Sequence, residues 1–291
     1  MTWPALLALL AAFAFSIAGV LLKRGLQYAT PLTAALVSVT FTTGLVWLVA
    51  AVTTELSLLL TGKILPFLIA GLVAPGLARL AVFIGVDRIG VARAAPLVAT
   101  APLFSVVMAI LFLGERPSWM LLVGAACIVT GGVLLSQRRA ADRAWRRRDL
   151  VFPMLGALGF ALRDNISRYG FREYSDPLTA AAAATLTSLV VMWLFAGLEA
   201  GRGGRLRLER TGLGFLALSG LSEGLAYMTM WRALALGDVS IVSPLINAQS
   251  IFAVALAAIF LRDLERVTWP IAVAAGLIVA GVAVVVRFAT G

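Results

Sequence analysis

Ten stretches of 18 or more predominantly apolar residues, bounded by charges, Pro or Gly, fill almost the whole chain. They lie at about 3–22, 33–53, 64–86, 91–113, 118–136, 151–172, 178–198, 212–234, 239–261 and 268–288. A hydrocarbon core ~30 Å thick takes about 20 apolar residues per helical crossing, and a spanning segment must satisfy its own backbone hydrogen bonds. The pattern therefore predicts an all-α polytopic membrane protein with ten transmembrane helices. Within 291 residues this leaves only short loops and no sizeable soluble domain. Composition agrees, with 61% apolar and 13% charged residues against ~45–50% and ~25% in soluble domains. The first run carries Ala12-Phe13-Ala14, a pattern like a signal-peptide cleavage site, but Met1-Thr2-Trp3-Pro4 lacks the basic start such a peptide needs, so a retained first helix is expected.

What the chain lacks excludes chemistry. It contains no histidine, which removes imidazole bases and His-containing metal sites. Its one cysteine, Cys127, is expected to pack as a small apolar residue among Gly124 and Gly131. No phosphate-binding G-x-x-x-x-G-K-[ST] loop occurs, and Gly220-Leu221-Ser222-Glu223-Gly224 spells G-x-S-x-G inside an apolar helix rather than at a strand-to-helix turn. That segment reads better as a G-x-x-x-G packing face. No cofactor or metal is expected. Of the 24 basic residues, 22 are Arg, scattered between apolar runs. Membrane topology explains the net charge of +10 better than a nucleic-acid partner does. The expected partners are a small-molecule substrate and the lipid bilayer, with the chain functional as a monomer.

The most polar stretch, residues 138–150, divides the chain into residues 1–137 and 151–291, five predicted helices each. The halves resemble one another. Val91-Ala92-Arg93-Ala94-Ala95-Pro96-Leu97 aligns with Val239-Ser240-Ile241-Val242-Ser243-Pro244-Leu245 at an offset of 148, and Phe104 and Phe112-Leu113 meet Phe252 and Phe260-Leu261. After a two-residue insertion Trp119 meets Trp269 and Gly131 meets Gly281; earlier, Pro31-Leu32-Thr33-Ala34-Ala35 matches Pro177-Leu178-Thr179-Ala180-Ala181 at 146. Five helices is an odd number, so the second copy is expected upside down relative to the first, an architecture of secondary transporters whose substrate sites lie near the midplane between repeats.

Loops after odd-numbered helices hold 16 basic residues and the other side 6, which by the positive-inside rule puts the central Arg-rich loop in the cytoplasm and both termini outside.

Ala95-Pro96-Leu97 through Ala101-Pro102-Leu103-Phe104, then Leu113-Gly114-Glu115-Arg116-Pro117-Ser118-Trp119, then Gly124 to Gly131-Gly132, resemble the drug/metabolite transporter superfamily and, within it, the ten-helix EamA-type exporters. The overall pattern is most similar to the YddG-like aromatic amino acid exporters. The second copy has Arg262-Asp263 where the first has Gly114-Glu115, keeping the acid and losing the glycine. The resemblance implies export of small metabolites across a bacterial inner membrane without enzymatic chemistry. It also implies cytoplasmic termini, opposite to the charge count.

Ionisable residues within a membrane cost ~2.5–3.5 kcal/mol each and should face a cavity or a partner. Arg79, Arg163, Asp164 and Glu223 are such residues. Arg79 and Arg163 suit a carboxylate and Glu223 an ammonium or a proton; salt bridging of Glu223 to one of the arginines is the structural alternative. Asp164 and Arg168, four apart, are expected to pair along one face. Glu223, Tyr227 and Trp231 share a face at i, i+4 and i+8 and predict an aromatic stripe on the cavity. Asn247, Gln249 and Ser16 would complete the polar lining. Lys23 suits an interface position, and by the resemblance is a further candidate. Pro96, Pro102 and Pro244 should kink their helices and offer hinges, with Pro75-Gly76 a weaker counterpart. The expected function is export of amphipathic metabolites, amino acids including aromatic ones, by alternating access. Sugars, nucleotide precursors or lipophilic cations are the alternative cargo, and an intramembrane enzyme, for which Ser222 and Lys23 would be the only dyad, the remote one.

Overall fold

The computed structural model describes residues 2–136, 146–201, 207–260 and 269–289. Most of the Arg-rich connector and the Arg262-Asp263 turn lie outside the described residues. The described residues form ten helical spans: α1 (Trp3–Gly25), α2 (Pro31–Thr53), α3 (65–89), α4 (91–113), α5 (Trp119–Ser136), α6 (Val151–Gly170), α7 (Pro177–Gly201), α8 (Arg210–Leu236), α9 (239–260) and α10 (Trp269–Phe288). Six of these, α1 to α4, α7 and α9, hold windows long and apolar enough to cross a membrane, and α5 and α10 contain shorter apolar helices. The other two, α6 and α8, are the spans that carry Arg163, Asp164 and Glu223. Their charges are what lower their hydropathy.

Local signals set several helix starts. Pro31 and Pro177 open α2 and α7, where the missing N–H is no loss. Thr30 Oγ1 accepts from the Thr33 N–H at 3.4 Å, and the Asp176 carboxylate accepts from the Leu178 and Thr179 N–H groups at 3.1 and 3.3 Å. Among the described residues the only β pairing is an isolated bridge between Ala29 and Leu208. It ties the α1–α2 loop to the segment before α8, on the face where α5 ends and α6 begins. We call this the connector face and the opposite one, where α1 begins, the terminal face.

Helices pack through small residues, as expected where lipid removes the hydrophobic drive. A Cβ on Gly131 would stand 2.6 Å from Ala274 O and from Ile278 Cγ1, and one on Gly281 2.6 Å from Gly124 O and 2.7 Å from Ile128 Cγ1. Rising numbers in α5 thus meet falling numbers in α10, so the two run antiparallel. The two contacts are also reciprocal: Gly131 touches Ile278 and Gly281 touches Ile128, partners separated by the same offset of 150. Similar antiparallel pairs join α1 to α8, where Gly25 meets Leu216 and Gly237 meets Pro4, and α3 to α6, where Gly85 meets Pro153 and Gly170 meets Phe67. Across α2 and α7, Trp47 Nε1 donates to Ala182 O at 2.9 Å and Trp193 Nε1 to Thr40 Oγ1 at 3.3 Å. Trp47 and Trp193 are 146 apart, the offset that aligns the two helix starts.

Three spans are interrupted. α3 consists of Leu65–Gly71, a wider turn at Leu72–Leu77 and Ala78–Ile89, and Ala74 within it is extended (φ −151°, ψ 133°). Pro75 cannot donate to the carbonyl four residues back; that carbonyl, Gly71 O, accepts instead from Ser188 Oγ of α7 at 2.8 Å. α4 breaks between Val91–Val98 and Ala101–Met108, and α9 between Val239–Asn247 and Gln249–Phe260. Pro96 and Pro244 lie inside the first pieces and Pro102 opens the second piece of α4. The larger departure from helix is at Pro75, which the sequence pattern ranked below Pro96 and Pro244. The α4 and α9 breaks occupy corresponding positions and touch, since Asn247 Nδ2 donates to Ala99 O at 3.3 Å and these residues are 148 apart.

Candidate functional site

Halfway along α3, α6 and α8 the chain places four ionisable side chains that have to be neutralised locally. Arg79 of α3 forms an ion pair with Glu223 Oε1 of α8. Ser38 Oγ of α2 donates to Glu223 Oε2 at 2.9 Å. The second pair is within α6: Arg163 reaches Asp164 Oδ1 through Nε at 3.0 Å and Nη2 at 2.7 Å. Ser105 Oγ of α4 donates to Asp164 Oδ2 at 3.2 Å, and Asn165 Nδ2 donates to Ser105 O and Ala161 O. Tyr227, one turn beyond Glu223, lies between the pairs, within electrostatic range of Arg163, Arg79 and Glu223. Apolar rings flank the cluster, with Phe15 packed edge-on against Tyr227 at 5.4 Å and Phe160 under the Arg163 guanidinium at 5.5 Å.

Two guanidinium groups and two carboxylates sum to zero, which is how a low-dielectric interior tolerates them. The pairs differ in access. The Arg79 side chain is 20% exposed and Glu223 11%, against 9% and 6% for Arg163 and Asp164. The Arg79–Glu223 pair is the more exposed of the two.

The structure brings together Arg79, Arg163, Glu223 and Tyr227. It separates the remaining candidates. Trp231 is fully enclosed, with Phe67 at 5.6 Å and Phe171 at 6.0 Å between ring centroids, so in this state it is packing and lines no open space. Ser16 donates to Phe13 O within its own helix at 2.6 Å. Asn247 bridges α9 to α4, Gln249 is half-buried at the start of the second piece of α9, and Lys23 is half-buried near the end of α1. The expected Asp164–Arg168 pair does not form. Asp164 is taken by its neighbour Arg163, while Arg168 turns to the carbonyls of Leu234 and Ala235 and to Asp238 Oδ1 at 3.1 Å. Gly220 and Gly224 both pack on α2, as a G-x-x-x-G face would, and Ser222 Oγ donates to Ala14 O at 2.9 Å.

Ser38, Ser105 and Asn165 were not foreseen. Single polar residues in apolar helices give no periodic signal, and only the charges they serve could have pointed to them. A second polar group lies at the terminal face. Here a cleft of about 460 Å³ is lined by Leu113, Glu115, Arg168, Phe171, Arg172 and Asp238 among others.

The EamA-like transporter family matches the chain twice, over residues 2–137 and 149–287. A crystal structure superposes with a TM-score of 0.83 over 99% of this chain and 97% of the other, at 18% identity, a likeness of fold. Comparison with curated proteins finds no match. With apolar helices that span a bilayer and a family that transports small molecules rather than performing enzymatic chemistry, the chain is a multi-pass membrane protein that belongs to the EamA-like transporter family.

Proposed function

We propose that the protein exports small zwitterionic metabolites, amino acids including aromatic ones, by alternating access between two inverted five-helix repeats in a bacterial inner membrane. The single observation that carries the substrate class is the Arg79–Glu223 pair, the more exposed of two ion pairs in a cluster of zero net charge. A zwitterion can exchange with that pair group for group, its carboxylate on Arg79 and its ammonium on Glu223, and leave the membrane interior neutral. A monoanion would add a buried charge, at a cost of several kcal/mol. A lipophilic cation would meet Arg79, and nucleotide precursors would bring more negative charge than Arg79 and Arg163 can offset while Glu223 and Asp164 stay ionised. Phe15, Tyr227 and Phe160 supply the apolar surroundings that an aromatic or aliphatic side chain needs, which is also what an aromatic amino acid exporter of the YddG kind would require.

The inverted arrangement is supported by reciprocal contacts of the kind a two-fold axis generates: Gly131–Ile278 with Gly281–Ile128, and the Asn247–Ala99 contact at equivalent helix breaks. Breaks in α4 and α9 at matching positions give each repeat a place to bend. Counterflow in proteoliposomes tests the reading, with labelled phenylalanine and threonine as cargo. Uptake competed by unlabelled amino acids and not by their decarboxylated amines is expected; absence of flux over a broad amino acid panel would remove the substrate class.

A further inference from the structure

The α4–α5 turn of the first half reaches across to the second. Glu115 Oε1 accepts the Val239 N–H at 2.8 Å and Oε2 the Ser240 N–H at 2.9 Å, so one carboxylate covers two free donors at the start of α9. It also meets the positive end of that helix. Two further links cross or brace the same seam: Arg172 Nη2 donates to Leu113 O at 2.7 Å, and Arg168 binds the carbonyls that end α8 and the Asp238 carboxylate before α9. Beneath them Phe67, Phe171, Tyr174 and Trp231 form a closed aromatic cluster.

The order along α8 places these layers. From Glu223 one face runs through Tyr227 and Trp231 to the Leu234 carbonyl, 11 residues on, which at ~1.5 Å per residue is roughly 16 Å. That is about half of a ~30 Å hydrocarbon core. Between the central cluster and the terminal face lie first an aromatic plug and then a polar latch.

We propose that Glu115 is a positioning residue for transport: its carboxylate latches the α4–α5 turn onto the start of α9, holds the aromatic plug shut beneath it, and so sets the balance between states closed and open at the terminal face. This rests on the alternating-access reading. Two charge-assisted hydrogen bonds are at stake, enough to shift such an equilibrium at least about tenfold.

Side-specific cysteine labelling of the full chain in proteoliposomes tests it, in a Cys127→Ser background. Ser243→Cys reports on the terminal half of α9, and Ala95→Cys, its counterpart 148 residues earlier, on the connector half of α4. With a membrane-impermeant methanethiosulfonate, Glu115→Ala should raise labelling of Ser243→Cys at least about tenfold and lower that of Ala95→Cys. Glu115→Gln, which keeps one acceptor oxygen, should fall between, and this variant keeps the test open if the alanine form does not fold. A rise at Ser243→Cys with no fall at Ala95→Cys supports the latch and sinks alternating access. Unchanged labelling of Ser243→Cys in both Glu115 variants overturns the latch.

Discussion

The Arg79–Glu223 pair can serve the fold, the substrate or both, and charge removal separates these roles. Glu223→Gln leaves Arg79 ionised with a weaker partner inside the membrane. We expect counterflow to fall at least about tenfold while the protein still elutes as a single folded species, since Ser38 can still bond the amide. Replacing both members, Arg79→Met with Glu223→Met, removes the buried charges together. Such replacements are often neutral or stabilising by ~1–4 kcal/mol, so the double variant should keep its Tm and still lose transport. Retained transport in the double variant would make the pair structural. Trp231→Ala belongs to another class. Its side chain is fully enclosed, so truncation should cost about 3–5 kcal/mol in stability through the cavity it leaves, and a lower Tm is the expected primary effect. Arg79, Arg163, Glu223 and Tyr227 share one neighbourhood, as intramembrane charges that need partners require. Trp231 lies on the same stripe but is fully enclosed: helical periodicity gives a face and says nothing of how far along that face the packing closes. The sequence pattern paired Asp164 with Arg168 for a similar reason: i, i+4 spacing ignores that Arg163 can fold back onto its neighbour and that Asp238 waits at the next turn.

At the scale of elements, the packing face at Gly220 and Gly224 and the interruptions near Pro96 and Pro244 were legible, while the size of the break at Pro75 was not. Gly131 and Gly276 make a matched pair of probes. A Cβ on Gly131 would meet α10 backbone at 2.6 Å, whereas one on Gly276 would meet nothing within 4 Å. Gly131→Ala should destabilise by about 1–3 kcal/mol through overpacking and Gly276→Ala should not, as read by the temperature at which detergent-solubilised protein aggregates. Equal Tm values would mean that α5 and α10 do not depend on this approach. The α3 break shows the limit of proline rules. Pro75, Pro96 and Pro244 all lie within apolar runs; at Pro75 a serine of another helix, Ser188, takes up the released carbonyl of Gly71. No local pattern names such a partner 117 residues away. At the connector face, Asp149 accepts from Arg88 Nη1 at 3.1 Å and from the Arg146 N–H at 3.2 Å. The Arg88 hydrogen bond, outweighing partial burial, holds its carboxyl below the usual range. A carboxyl lowered on folding contributes stability above its unfolded value, near ~3.9, and loses it as pH falls through the folded value. Asp149→Asn should therefore lower Tm slightly at pH 7, and the difference from the parent should vanish on acidification below the unfolded range.

For the whole molecule, ten helices were readable from runs of predominantly apolar residues, six of them, among the described residues, long and apolar enough to cross a membrane, because a bilayer leaves only the helix as a way for such runs to satisfy their backbone. The direction in which those spans cross is a separate physical question. The sequence count of sixteen basic residues after odd-numbered predicted helices against six after even-numbered ones favours the connector face in the cytoplasm, since translocating Lys and Arg is disfavoured. Ser118→Cys and Arg147→Cys, each in a Cys127→Ser background, report on the two faces. In intact cells an impermeant maleimide should label Ser118→Cys, and Arg147→Cys only after permeabilisation. With that labelling the proposed latch at Glu115 would close the outer side, and on the export reading this is the state in which cargo loads from the cytoplasm. The reverse labelling would place both termini inside, as the family pattern implies, and would make the same closed seam cytoplasmic, the state an exporter adopts after its cargo has been carried past the midplane.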